Sequence, residues 1–176
     1  MNGSISTAKR QWQDLPLGEA FVPVYAHAIE RIKSGVIVEL GSLLGKTTVF
    51  LVEAIQNGPR PEQRRVSLNV VEDWGYNSGD DPKAGFFQNM RECGAEGYYS
   101  LWEEGIREAA GYFDDGEVDF LAVNYLLEAR ERIELLDFWT PKIKAGGLVA
   151  FRGRPNRGSQ GGYSLSMFGK KVKMPS

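Results

Sequence analysis

Val36-Ile37-Val38-Glu39-Leu40 is a β-branched run that passes without a break into a loop bracketed by Gly41 and Gly45, and then into helical spacing from Thr47 to Gln56. A strand, a glycine loop and a helix in that order constrain this chain more than any other feature. A strand followed by a helix of this length returns to pair in parallel, through a right-handed crossover. The glycines permit a tight turn and close backbone approach, and the helix start offers unpaired N–H groups.

The rest of the chain repeats the alternation. Phe21, Val24, Ala28, Ile29 and Ile32 fall at helical spacing within Gly18–Lys33, and Ser34-Gly35 stops that helix. Val66–Val71 reads as a second strand, Gly85–Glu92 as a helix and Tyr98–Trp102 as a third strand. Arg107–Phe113 reads as a short helix, closed by Asp114-Asp115-Gly116 before a fourth strand, Val118–Val123. Leu126–Trp139 is predicted to be the longest helix, and Pro141 with Gly146-Gly147 separates it from a fifth strand, Leu148–Phe151. Arg152–Gly162 reads as a loop, and Gly169–Met174 supplies one edge strand at most. The expected fold is therefore α/β: a doubly wound, mostly parallel sheet with helices on both faces, in a single domain spanning residues 1–176.

Counts of particular residues exclude several chemistries. Cys93 is the only cysteine, so neither an intrachain disulfide nor a thiolate metal cage can form. His27 is the only histidine, which removes a multi-histidine zinc site and leaves any Ser-His-Asp triad dependent on a residue read as helical. A formal net charge of −2 gives no basis for whole-surface attraction to nucleic acid or membranes. The apolar runs Gly35–Leu40 and Val118–Val123 are far short of a membrane span, and the N-terminus does not resemble a signal peptide, so the cytoplasm is the expected location.

Ligands in open α/β sheets bind at the carboxyl ends of strands, where strand order reverses. Glu39 to Thr48 lies at the first such end. A phosphate-binding loop of the G-x-x-x-x-G-K-[ST] kind needs four residues between its glycines, whereas Gly41 and Gly45 enclose three. Lys46-Thr47 matches that motif, but the phosphate cradle is one residue short.

Glu39-Leu40-Gly41-Ser42-Leu43-Leu44-Gly45-Lys46-Thr47 resembles the first motif of class I S-adenosylmethionine-dependent methyltransferases, closest to the macrocin-type and catechol-like O-methyltransferases. The resemblance continues through Glu72-Asp73-Trp74, the run Gly105–Ala110, Phe113–Phe120 and Trp139–Leu148, and covers Phe21 to Phe151. It implies a Rossmann-like methyltransferase fold with a shortened C-terminal hairpin. It also implies a site for S-adenosylmethionine, or for S-adenosylhomocysteine as bound product, formed by Glu39, Gly41, Ser42, Gly45, Thr47, Glu72, Asp73, Trp74 and Asn124. Within it, Glu72 takes the acid that accepts hydrogen bonds from the ribose hydroxyls, and Trp74 is placed to flank the adenine.

After the fourth strand these families carry Asp-x-Asp-His, where this chain has Asn124-Tyr125-Leu126-Leu127; after the fifth, their His-Asp is replaced by Arg152-Gly153. A divalent cation wants several anionic oxygens, which one amide beside an arginine does not supply, so no metal ligands are assigned. Leucine cannot take a proton, and no catalytic residue is assigned either. Tyr125, Arg152 and Arg154 are the candidate contacts to a small-molecule substrate, with the guanidinium groups suited to an anionic one or, equally, to a solvated loop. The readings that remain are a metal-independent methyltransferase, a cofactor-binding protein without transfer, and an interaction protein on the same scaffold. A homo-oligomer is an alternative to an open acceptor side.

Overall fold

The computed structural model describes residues 10–16, 18–58, 65–75, 81–153, 162–167 and 170–171. Strands β1 (Ser34–Leu40), β2 (Arg65–Val71), β3 (Ser100–Trp102), β4 (Val118–Val123), β5 (Ile143–Arg152), β6 (Tyr163–Met167) and β7 (Lys170–Lys171) form one sheet in the order β3-β2-β1-β4-β5-β6-β7. The pairs from β3 to β5 are parallel, and β6 and β7 add antiparallel at one edge. Helices α1 (Val22–Arg31), α2 (Lys46–Asn57), α3 (Pro82–Glu92), α4 (Ile106–Ala110) and α5 (Ala129–Trp139) connect them. Strand order reverses between β1 and β4, and the glycine loop leaves the sheet there.

Two buried clusters sit on the two faces of the sheet. One contains Ile37, Leu68, Val70, Phe120, Ala122, Leu148, Ala150 and Leu165 with residues of α1, α2 and α3. The other contains Val38, Leu40, Val71, Leu121, Val123 and Val149 with residues of α4 and α5. Strand side chains alternate faces with a period of two. That period carries Glu39, Glu72, Asn124 and Arg152 to the same side as α1 and α2, at or just beyond their strand ends. Apolar burial on both faces thus fixes where the polar residues emerge.

Local chemistry explains where most elements begin. Pro82 opens α3 behind Asp81, whose side chain accepts from the Ala84 N–H at 3.0 Å. A reciprocal pairing of Glu128 and Glu131 starts α5 at Ala129 and not at Leu126, which leaves Leu126 exposed and makes α2, with 12 residues, longer than α5 with 11. Strand β5 starts at Ile143 instead of Leu148, because Gly146 (φ 82°) shifts the register within the strand and does not end a loop before it. Gly169–Met174 contributes one edge strand, β7, as expected of it, while β6 is a strand that the sequence reading did not assign. Tyr163, Leu165 and Met167 alternate with Ser164 and Ser166, and Arg152 pairs with Tyr163.

Candidate functional site

The carboxyl ends of β1, β2, β4 and β5 surround a cavity of about 470 Å³. Behind it lies a buried polar network centred on Asn124, the first residue past β4. Its amide nitrogen donates to Glu39 Oε1 at 2.8 Å and to Thr47 Oγ1 at 3.1 Å. Its oxygen accepts from the hydroxyls of Tyr25 at 2.5 Å and Tyr163 at 3.0 Å. The network therefore links β1, α1, α2, β4 and β6, and every hydrogen-bonding position of the Asn124 amide is used, as a buried amide requires.

Glu39 is fully enclosed. It accepts from the Thr47 hydroxyl, from Thr48 Oγ1 at 2.7 Å and from Asn124. Burial pushes its carboxyl up to about 7, against the opposing pull of the Thr47, Thr48 and Asn124 hydrogen bonds. Burial likewise pushes the Tyr163 phenol up to about 12. Glu39 does not line the cavity; it anchors α2 and Asn124 from behind.

Glu72 follows β2 and does line the cavity. Its Oε2 accepts from the backbone N–H groups of Ser42 and Leu43, both at 2.8 Å, and its Oε1 accepts from the Tyr125 hydroxyl at 3.2 Å. The loop is shaped for this: Gly41 and Gly45 each have φ 82°, and Leu43 has φ 51°, which turns two consecutive N–H groups toward one oxygen. The Tyr125 ring lies over Gly41, so close that a Cβ there would sit 2.9 Å from it. Gly45 serves packing, since a Cβ would meet Met90 at 2.3 Å. Burial, then the charges of Glu72 and Asp73, raise the Tyr125 phenol well above its ordinary range.

Two cations face the same cavity. Lys46, 2% exposed, donates to the Leu15 carbonyl at 2.9 Å, approaches Glu19 at 3.7 Å and stands 5.7 Å from the Trp12 ring centre. Arg152 also lines the cavity, and its charge lowers the Tyr25 and Tyr163 phenols against the effect of burial.

Of the residues expected from sequence, Gly41, Ser42, Thr47, Glu72, Asn124, Tyr125 and Arg152 come together on the cavity. Asp73 and Trp74 do not. Asp73 is exposed and accepts from the Gly75 N–H, while Trp74 packs edge-on against Phe86 and donates to Glu103 at 3.0 Å. Arg154 lies outside the described residues. His27 sits on α1 away from the cavity, its buried Nε2 without a partner among the described residues. Lys46, Tyr25 and Tyr163 were missed; the alternation after Gly162 was the available signal for Tyr163. Among the described residues, no three His, Cys, Asp or Glu side chains cluster as a metal site would need.

A family model described as a methyltransferase domain matches residues 38–152, more than half of the chain. The fold is similar to that of an rRNA methylase from Streptococcus thermophilus, 12% identical, with 78% of this chain and 73% of that one covered and a TM-score of 0.55. It is also similar to a precorrin 8w decarboxylase from Methanobacterium thermoautotrophicum (20% identical, 84% and 70% covered, TM-score 0.56). A third likeness is to a precorrin-6y C5,15-methyltransferase from Geobacter metallireducens (13% identical, 86% and 70% covered, TM-score 0.57). At these identities the structural likeness concerns the fold alone. No curated protein matches the sequence. With the motif of β1, the acid after β2 and the family match all falling on the same sheet, the chain belongs to the class I S-adenosylmethionine-dependent methyltransferases.

Proposed function

We propose that this chain binds S-adenosylmethionine across the carboxyl ends of β1, β2 and β4 and transfers its methyl group, without a divalent metal, to a small anionic acceptor. The observation that carries the reading is Glu72, an acceptor-only carboxylate aligned by the glycine loop and facing a cavity large enough for a drug-sized ligand. Glu72 would take the ribose hydroxyls, the Gly41–Ser42 backbone would run beside the adenosyl group, and Thr47 and Asn124 would form the wall behind it. When bound, the cofactor supplies an electrophilic methyl on a positively charged sulfur.

The chain's own contribution is placement and charge. Arg152 favours an anion in the cavity through its forked donors, and Lys46, already held by Leu15 and Glu19, adds positive charge to the lining. Leu126 and Leu127 leave no proton acceptor at the positions where related methyltransferases carry Asp and His, so the reaction relies on holding acceptor and methyl in line. Residues 1–176 would act as one domain, in the cytoplasm, on a small molecule and not on nucleic acid or membranes. No helix among the described residues is long and apolar enough to cross a membrane.

A second reading has one observation in its favour. Asn124 stands where these families keep an acid, and all of its hydrogen-bonding capacity is engaged inside the protein. A position converted wholly to structure fits a protein that binds the cofactor without transferring its methyl group.

Calorimetry with S-adenosylhomocysteine tests the shared part of both readings. Saturating ligand raises the melting temperature by about 5 °C or more, since a concentration of about 100 Kd adds about 2.7 kcal/mol. No heat and no shift with either adenosyl compound at millimolar concentration would sink both, and a shift with ATP and magnesium instead would point to a phosphate loop. Methyl transfer to carboxylate-bearing acceptors, followed by mass, separates the two readings.

A further inference from the structure

We infer that Tyr125 occupies the ribose position of the adenosyl site and thereby sets the cofactor's affinity, an inference that rests on the site proposed above. The phenol donates to Glu72 Oε1 at 3.2 Å. This is the same bond, hydroxyl to carboxylate, that a ribose would make there. The other oxygen, Oε2, already accepts two backbone N–H groups of the loop and a longer contact from the Ser42 hydroxyl at 3.4 Å. Oε1 is thus the oxygen left for an incoming hydroxyl, and Tyr125 holds it.

The ring obstructs the site as much as the hydroxyl does. Gly41 leaves open the space a side chain would fill, which is what lets a ligand approach the backbone closely. Ring atoms of Tyr125 stand 2.9–3.0 Å from where a Gly41 Cβ would be, so that space is filled by the ring. One side chain therefore covers both features that recommend the loop as a nucleoside site, its glycine and its acid. A ribose reaches Glu72 only when that side chain turns away.

Tyr125 is positioned to turn. It lies in the segment between β4 and α5 that has no regular secondary structure, so rotation of its side chain disturbs no ladder. The residue before it is fixed, with Asn124 held by Glu39, Thr47, Tyr25 and Tyr163. Tyr125 also borders the cavity, which gives the displaced ring somewhere to go. Cofactor affinity is then the intrinsic affinity reduced by the fraction of molecules in which the ring is out.

The test is titration of the full chain and its Tyr125→Phe and Tyr125→Ala variants with S-adenosylhomocysteine, adenosine and methionine. Tyr125→Phe frees Oε1 while keeping the ring, and tightens S-adenosylhomocysteine and adenosine by about tenfold, the worth of one hydrogen bond to a charged group. Tyr125→Ala also empties the space over Gly41 and tightens them further. Methionine, which has no ribose, is unaffected by Tyr125→Phe. Equal or weaker binding of both nucleosides by both variants, with the wild type binding normally, overturns this inference and leaves the adenosyl site standing. Failure of the wild type and both variants to bind any nucleoside overturns the site and this inference together. Should Tyr125→Ala not fold, Tyr125→Phe, which removes one oxygen, decides alone.

Discussion

Glu39 and Glu72 occupy corresponding places, one at the end of β1 and one just past the end of its neighbour β2, and both are buried on the same face of the sheet. Their partners differ in kind. Glu39 takes its hydrogen bonds from side chains: two threonine hydroxyls and an amide. Glu72 takes its shortest ones from backbone N–H groups of a loop, with only a tyrosine on the other oxygen. A carboxylate inside the strand has no access to solvent and needs several donors to be retained there. Two positions further along in register, the chain has left the ladder, and the acid meets a cavity. The contrast separates an acid wholly enclosed by the fold from one that faces the cavity, although the two look alike in sequence.

The largest effect that tests this contrast is on stability. Glu39→Ala leaves the Thr47, Thr48 and Asn124 donors facing one another around an empty space, and Asn124 carries the loss on to Tyr25 and Tyr163. Leaving several buried donors unpaired in this way costs about 3–5 kcal/mol. Chemical denaturation would show it directly, and a loss under about 1 kcal/mol would mean that Glu39 is not the anchor described above.

Glu39 also sets a pH dependence whose sign differs from that of a salt-bridged acid. Its folded carboxyl titrates near 7, chiefly because burial disfavours the charge, while in the unfolded chain it returns to 4.5. The folded state therefore binds the extra proton between those values. Stability contributed by this group is complete below the unfolded value and is lost as pH rises through 7, by on the order of 3 kcal/mol in all. Glu39→Gln removes the titration, so subtracting its denaturation curves from those of the wild type isolates the effect. A difference between the two proteins that stays flat from pH 4.5 to 8 would show that the Glu39 carboxylate is charged throughout.

Much of this arrangement was legible from the residues. The expected strand ends put Glu39, Glu72, Asn124 and Arg152 at one edge of the sheet, and the glycine loop marked that edge. The last four residues of β1, β2 and β4 are all buried, so apolar pattern alone carried no signal of which face each residue takes. What escaped depended on contacts distant in sequence. Lys46 read as part of a phosphate motif, yet its ammonium is held by Leu15, Glu19 and the Trp12 ring, from a turn 31 residues away in the Leu15 case. Asp73 and Trp74 were grouped with Glu72 because they are adjacent. Successive residues in extended chain point to opposite sides, and a φ of 55° at Trp74 then turns its ring to Phe86. Tyr163 escaped because β6 pairs backward onto β5, and a crossover pattern gives no hint of an antiparallel return.

The smallest expected effect is the loss of stability on changing Glu72, and it is the one that divides Glu72's two tasks. Glu72→Gln keeps a carbonyl oxygen for the Ser42 and Leu43 N–H groups, so the loop stays in place and stability falls by about 0.5–1 kcal/mol, the worth of a weakened hydrogen bond. Its amide nitrogen, however, presents hydrogens where the ribose hydroxyls need an acceptor. S-adenosylhomocysteine binding then weakens by about tenfold or more, a charged acceptor being worth about 1.5–3 kcal/mol. Glu72→Ala removes the loop's acceptor as well, and the two exposed N–H groups are left to water from the cavity at a further cost of about 1 kcal/mol. Denaturation and calorimetry on both variants give the two quantities separately. If Glu72→Gln instead lost stability on the scale of Glu39→Ala while binding the cofactor normally, Glu72 would be a second structural acid and the ribose would be held by another group.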